Sequence, residues 1–81
     1  MQMEEQILAE GCRNGDDTAR KELYDRYAGR LLAICMRYAG DRATAEDLLH
    51  DAFLKIYGAF DRFTYRGPGS LRAWIERVTV N

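Results

Sequence analysis

The chain has 81 residues, with 12 Lys and Arg against 13 Asp and Glu, for a net charge of −1. That length suits one small domain with a modest core and a largely wet surface. Charged residues at 31% and hydrophobic residues at 47% exclude a disordered chain, and the near-neutral balance by itself argues for neither nucleic acid nor membrane.

The charge is unevenly spread. Residues 1–60 carry 8 basic against 11 acidic side chains, whereas residues 61–81 carry 4 Arg against 2 acids. An anionic partner is therefore sought at the C-terminal end. The longest apolar run, LLAICM, is far too short to span a bilayer. The acidic start does not look like a signal peptide. Cys12 and Cys35 match no zinc spacing and read as two buried, reduced thiols of a cytosolic protein. The single Pro and the scarcity of β-branched runs favour an all-helical fold.

Four helices are predicted in chain order, at about 3–13, 18–38, 43–62 and 70–81. The first places Ile7 and Leu8 inward and stops at RNGDD, where Asn-Gly signals a turn. Asp16 or Asp17 can cap the second helix. Leu23, Tyr24, Tyr27, Leu31, Ile34, Cys35 and Tyr38 give that helix one apolar face. Gly40 suits its end, and Asp41 or Thr44 can cap the third helix. The third helix buries Leu48, Leu49, Ala52, Phe53, Ile56, Tyr57 and Phe60 within one broad arc. After the loop TYRGPGS, Ser70 is expected to cap a fourth helix with Leu71, Trp74, Ile75 and Val78 inward. This pattern still runs at Asn81, so a piece of a longer protein is expected. The fold class is all-α, a compact bundle of three long helices plus a short one.

Opposite the core arc of the third helix lie Asp47, His50, Asp51 and Leu54, spaced i, i+3, i+4, i+7. A solvated face explains the charges. A leucine among acids also suits a basic partner with an apolar centre. The residues alone leave both readings open.

The segment RFTYRGPGS sets Arg62 and Arg66 beside Phe63 and Tyr65. Cations for phosphates and rings for bases are the ingredients of single-strand binding. Gly67 and Gly69 let a backbone come close to a ligand, and the free N–H groups after Ser70 can hold a phosphate. Trp74, Arg77 and Asn81 share one edge of the fourth helix, although Trp74 also fits the core. GPG is no nucleotide-hydrolase phosphate loop, because no Gly-Lys-Ser/Thr follows. No nucleophile–base–orienter set is visible. A metal site at Asp47, His50 and Asp51 lacks a second helix of ligands. The expectation is a protein that is not an enzyme and takes no cofactor.

AEDLLHDAFLKIYGAFDRF followed by YRGPGSLRAWIERVTVN resembles region 2 of bacterial sigma factors, most of all the extracytoplasmic-function (ECF) group. The preceding GDDTARKELYDRYAGRLLAICMRYAGD fits that group's opening helices, so the resemblance covers about residues 5–81. It implies a single region 2 domain over 1–81, without the family's region 4 domain for the −35 element. It implies that the third helix docks on the coiled-coil helices of the RNA polymerase β′ clamp through Asp47, His50, Asp51 and Leu54. The family usually has Gln at position 50, and imidazole can still donate one hydrogen bond.

The resemblance further implies that the loop and fourth helix capture the melted non-template strand of the −10 promoter element, with one base flipped into a pocket. Arg62, Tyr65, Arg66, Ser70, Arg72, Trp74, Arg77 and Asn81 are the residues expected to meet this DNA. Asn81 matches a family asparagine near the pocket, and its amide can both donate to and accept from a base edge. Pro68 and the paired glycines depart from the family's usual acidic or Ser residues, which leaves the captured base open. An anti-sigma factor is a further implied partner. The competing reading is a helical module that binds protein only.

Overall fold

The computed structural model describes residues 3–80. Four α-helices follow one another: α1 at Glu5–Arg13, α2 at Asp17–Ala39, α3 at Arg42–Gly58 and α4 at Ser70–Val80. A short 3-10 turn, Phe60–Arg62, sits between α3 and the loop. No strand occurs among the described residues. The all-α bundle expected from the sequence is the fold. No helix is long and apolar enough to cross a membrane among the described residues.

The helix ends follow local chemistry. Asp16 caps α2 by accepting from the Thr18 N–H at 3.0 Å. Gly40 closes α2 at φ 81°, where a side chain would be strained, and its N–H donates to Met36 O. Asp41 caps α3, accepting from the Thr44 N–H at 2.9 Å and from the Thr44 hydroxyl at 3.0 Å. The Thr44 N–H bond is the main reason the Asp41 carboxyl is held below the usual carboxylate range.

The core runs through all four helices. Leu8, Leu23, Leu31, Ile56, Phe60, Leu71 and Ile75 are essentially fully buried in one cluster. Fully burying a side chain of this size is worth about 1.5–3 kcal/mol, as an upper estimate. Cys12 and Cys35 are both buried and unpaired, and burial pushes the Cys12 thiol up to about 11. Arg30 of α2 pairs with Glu76 of α4, an acid that Arg72 approaches at 3.9 Å.

Four expectations need correction. Ile7 does not point inward and is 54% exposed, because the buried line of α1 runs through Leu8, Ala9 and Cys12. Tyr24 and Tyr38 lie outside the buried line of α2, which repeats every four residues as Leu23, Tyr27, Leu31 and Cys35. Leu48 is 39% exposed, since the covered arc of α3 runs through Ala45, Leu49, Ala52, Phe53 and Ile56. Finally, α3 ends at Gly58 rather than continuing to 62. The Ala59 N–H bonds back to Ile56 O, which tightens the chain into three-residue turns. With that period Phe60 and Phe63 fall on one side, and both are buried.

Candidate nucleic-acid interface

The loop between the 3-10 turn and α4 is shaped by its glycines. Gly67 and Gly69 hold φ values of 110° and 89°, which L side chains rarely adopt. Ser70 N–H donates to Gly67 O, and Ala73 N–H donates to Gly69 O. Ser70 differs from expectation. It is the first residue of α4, and its hydroxyl accepts from the Arg66 N–H at 3.1 Å instead of capping the helix. That bond ties the two ends of the RGPGS turn.

Beside this turn an open recess of about 390 Å³ is lined by Arg62, Phe63, Thr64, Arg66, Ser70, Ala73, Trp74 and Arg77. Three guanidinium groups border it and no carboxylate does. None of the three has an acidic partner among the described residues. Trp74 is half-buried. Its ring lies 5.0 Å from Phe60 and 5.1 Å from Phe63, centroid to centroid, so it belongs to the core while also lining the recess. Unpaired cations around an aromatic wall can take a phosphate and stack a planar base.

The structure thus gathers five of the eight expected DNA residues: Arg62, Arg66, Ser70, Trp74 and Arg77. It does not bring in the other described two. Tyr65 lines a different recess, with Gln6, Glu10 and Arg13 of α1. Arg72 sits near Glu76 on another side of α4. Asn81 lies outside the described residues.

The acidic stripe of α3 is a separate surface. Asp47, His50, Asp51 and Leu54 are all exposed, and Leu54 keeps 58% of its area in solvent. No hydrogen bond or ion pair of these acids occurs among the described residues. The stripe forms a ridge between two grooves. His50 and Leu54 border one with Tyr24 and Leu32 of α2. Asp51 borders the other with Tyr38 of α2 and Val80 of α4.

The reading of the sequence missed two contacts from α1 to the loop. The Arg13 guanidinium donates to Phe60 O at 3.2 Å and to Phe63 O. The Glu5 carboxylate accepts from the Gly69 N–H at 3.1 and 3.2 Å. These residues are 47 to 64 positions from their partners, and no local pattern announces such pairs.

Fold and surfaces together define a small helical domain with an acidic ridge on α3 and a cationic recess beside α4. Comparison with known proteins gives it a family: the chain belongs to the sigma-70 region 2 family, which matches residues 23–81. It is 31% identical over 80 residues to the RNA polymerase sigma-H factor of Pseudomonas aeruginosa, covering 99% of this chain and 40% of that protein. It is 34% identical over 82 residues to the ECF RNA polymerase sigma-E factor of Escherichia coli, with 99% and 40% covered. The ECF RNA polymerase sigma factor SigG of Mycobacterium tuberculosis is 39% identical over 69 residues, covering 85% of this chain and 17% of that protein. The chain therefore spans about 40% of the length of the first two relatives. These matches agree with the sequence resemblance to the ECF group. No solved structure gives a significant match.

Proposed function

We propose that the chain docks on the β′ clamp of RNA polymerase through the α3 ridge and captures the melted non-template strand of a −10 promoter element in the arginine-lined recess. Asp47 and Asp51 meet basic clamp side chains, His50 offers a hydrogen bond and Leu54 supplies the apolar centre. Arg62, Arg66 and Arg77 take backbone phosphates. Trp74 stacks against a flipped base, and Asn81 reads a base edge. Tyr65 and Arg72 act outside the recess, on flanking nucleotides. Because the recess takes unstacked bases, it favours open over duplex DNA by differential binding. The domain performs no chemistry of its own, and it works in the bacterial cytoplasm at the nucleoid.

The observation that carries this reading is the recess itself, three guanidinium groups without an acidic partner among the described residues, beside a half-buried Trp in a member of this family. The test is open-complex formation by the assembled sigma–polymerase complex on promoters varied base by base through the −10 element. Arg66→Ala weakens all promoters alike and lowers the salt slope by up to about 1. Asn81→Ala relaxes discrimination at one position, by about 1–3 kcal/mol. Equal losses at every sequence for both variants remove Asn81 as a base reader. No loss for either removes the DNA reading.

A second reading is a module that binds protein only, for instance as the target of an anti-sigma factor. Its support is the exposed apolar surface at Tyr38, Leu48, Leu54 and Val80. A −10-like oligonucleotide titrated at two salt concentrations separates the two readings, since only the DNA reading gives salt-dependent binding.

A further inference from the structure

We infer that Glu5 and Arg13 of α1 are positioning residues for the arginine-lined recess, fixing the two ends of the loop that forms it. This rests on the reading of that recess as a single-strand DNA site. At the start of the loop, the Arg13 guanidinium holds Phe60 O and Phe63 O, the carbonyls flanking Arg62. At its end, the Glu5 carboxylate holds the N–H of Gly69, next to Ser70. Between these points the Arg66 N–H donates to the Ser70 hydroxyl. The loop carries few other constraints, because Thr64, Arg66, Pro68 and Gly69 are exposed.

The helix that makes these contacts is itself fixed. Leu8, Ala9 and Cys12 are buried in the core. Gly11 lies so close to α2 that a Cβ placed there would fall 2.5 Å from the Ala19 Cβ. Arg26 of α2 takes Met3 O at 2.8 Å, just before α1 begins. The position of α1 against α2 is therefore passed to both ends of the loop by two charged side chains. Hydrogen bonds to charged groups are stronger than neutral ones. A glycine-rich turn has large conformational entropy to lose on binding, and prior ordering lowers that cost. Glu5 and Arg13 touch no DNA in this scheme. They set where Arg62, Arg66 and Ser70 stand when it arrives.

The primary variant is Glu5→Ala, which alters a partly exposed contact and leaves the core intact. Arg13→Ala is the companion, and Glu5→Gln is the rescue, because its amide oxygen still accepts from Gly69. Three quantities are measured. They are Gly69 amide exchange in the chain, affinity for core polymerase, and open-complex formation on −10 variants by the assembled complex. In Glu5→Ala, exchange at Gly69 rises about tenfold or more. Open-complex formation falls about fivefold on every −10 variant, and core affinity stays within about twofold. Glu5→Gln recovers most of the open-complex formation. The Arg66→Ala variant, run alongside, reports on the DNA reading itself. If Arg66→Ala impairs open-complex formation while Glu5→Ala leaves it intact, the positioning role is overturned and the DNA reading stands. If Glu5→Ala lowers core affinity as much as open-complex formation, the contact serves the fold in general and the inference is overturned. If Arg66→Ala and Glu5→Ala both leave every promoter unchanged, the DNA reading falls and takes the inference with it.

Discussion

The Tyr24 ring of α2 lies over the Phe53 ring of α3, with centroids 4.8 Å apart and planes tilted by 45°. The Tyr57 ring also packs near the same phenylalanine, with centroids 5.7 Å apart. Phe53 is buried, while Tyr24 is nearly half exposed and acts as its cover. Truncating Phe53 therefore removes the centre of the α2–α3 seam. Phe53→Ala is expected to cost about 3–5 kcal/mol, a large part of the stability of a domain this small. Chemical denaturation checks it, and unchanged stability would show that the seam holds without this ring.

Asp51→Lys tests the ridge of α3. Asp51 is exposed, so stability should change by no more than about 0.5 kcal/mol. Affinity for the polymerase clamp should drop sharply, because like charge now faces a basic surface. Loss of helicity in this variant would make the stripe structural and undo its assignment as a docking surface.

Two helical glycines should respond in opposite directions. At Gly11 a methyl group would meet the Ala19 Cβ at 2.5 Å, an atom fixed to the α2 backbone that cannot swing aside. Gly11→Ala should cost about 1–3 kcal/mol. At Gly29 no atom lies within 4 Å of an added Cβ. Gly29→Ala should be stabilising by about 0.5–1 kcal/mol, since alanine is the better helix former. Urea midpoints of the two variants decide the matter, and a stabilising Gly11→Ala would show that α1 is not pressed against α2.

Thiol chemistry should be silent in the folded state. Both cysteines are buried, and burial raises the Cys12 pKa from 9.0 to about 11. The unfolded chain loses this proton first, so the stabilising difference is intact below pH 9 and disappears as pH climbs toward about 11. Reaction with a thiol reagent at pH 8 should proceed only at the rate of opening. Fast labelling of the native protein would contradict the burial.

Much of the molecule is written locally. Asn14-Gly15, the caps Asp16 and Asp41, and Gly40 place the end of α1, both ends of α2 and the start of α3 to within about two residues, because each acts on neighbours within one turn. The exposed stripe on α3 was legible from helical periodicity, since Ala45, Leu49, Ala52, Phe53 and Ile56 fix which way the helix faces. Periodicity names a face but does not say how wide a neighbouring helix covers it. That width is why Ile7, Tyr38 and Leu48 lie in solvent despite sitting near apolar arcs. The recess was legible as a set of residue types in one loop and one helix edge. Its membership was decided by the tertiary structure, which turned Tyr65 toward α1 and set Arg72 beside Glu76. The contacts of Glu5 with Gly69 and of Arg13 with Phe60 and Phe63 had no local signal at all. They exist because packing Leu8 and Cys12 into the core lays α1 alongside the loop. A hydrogen bond between residues so distant in the chain follows from that packing and from nothing nearer in the sequence.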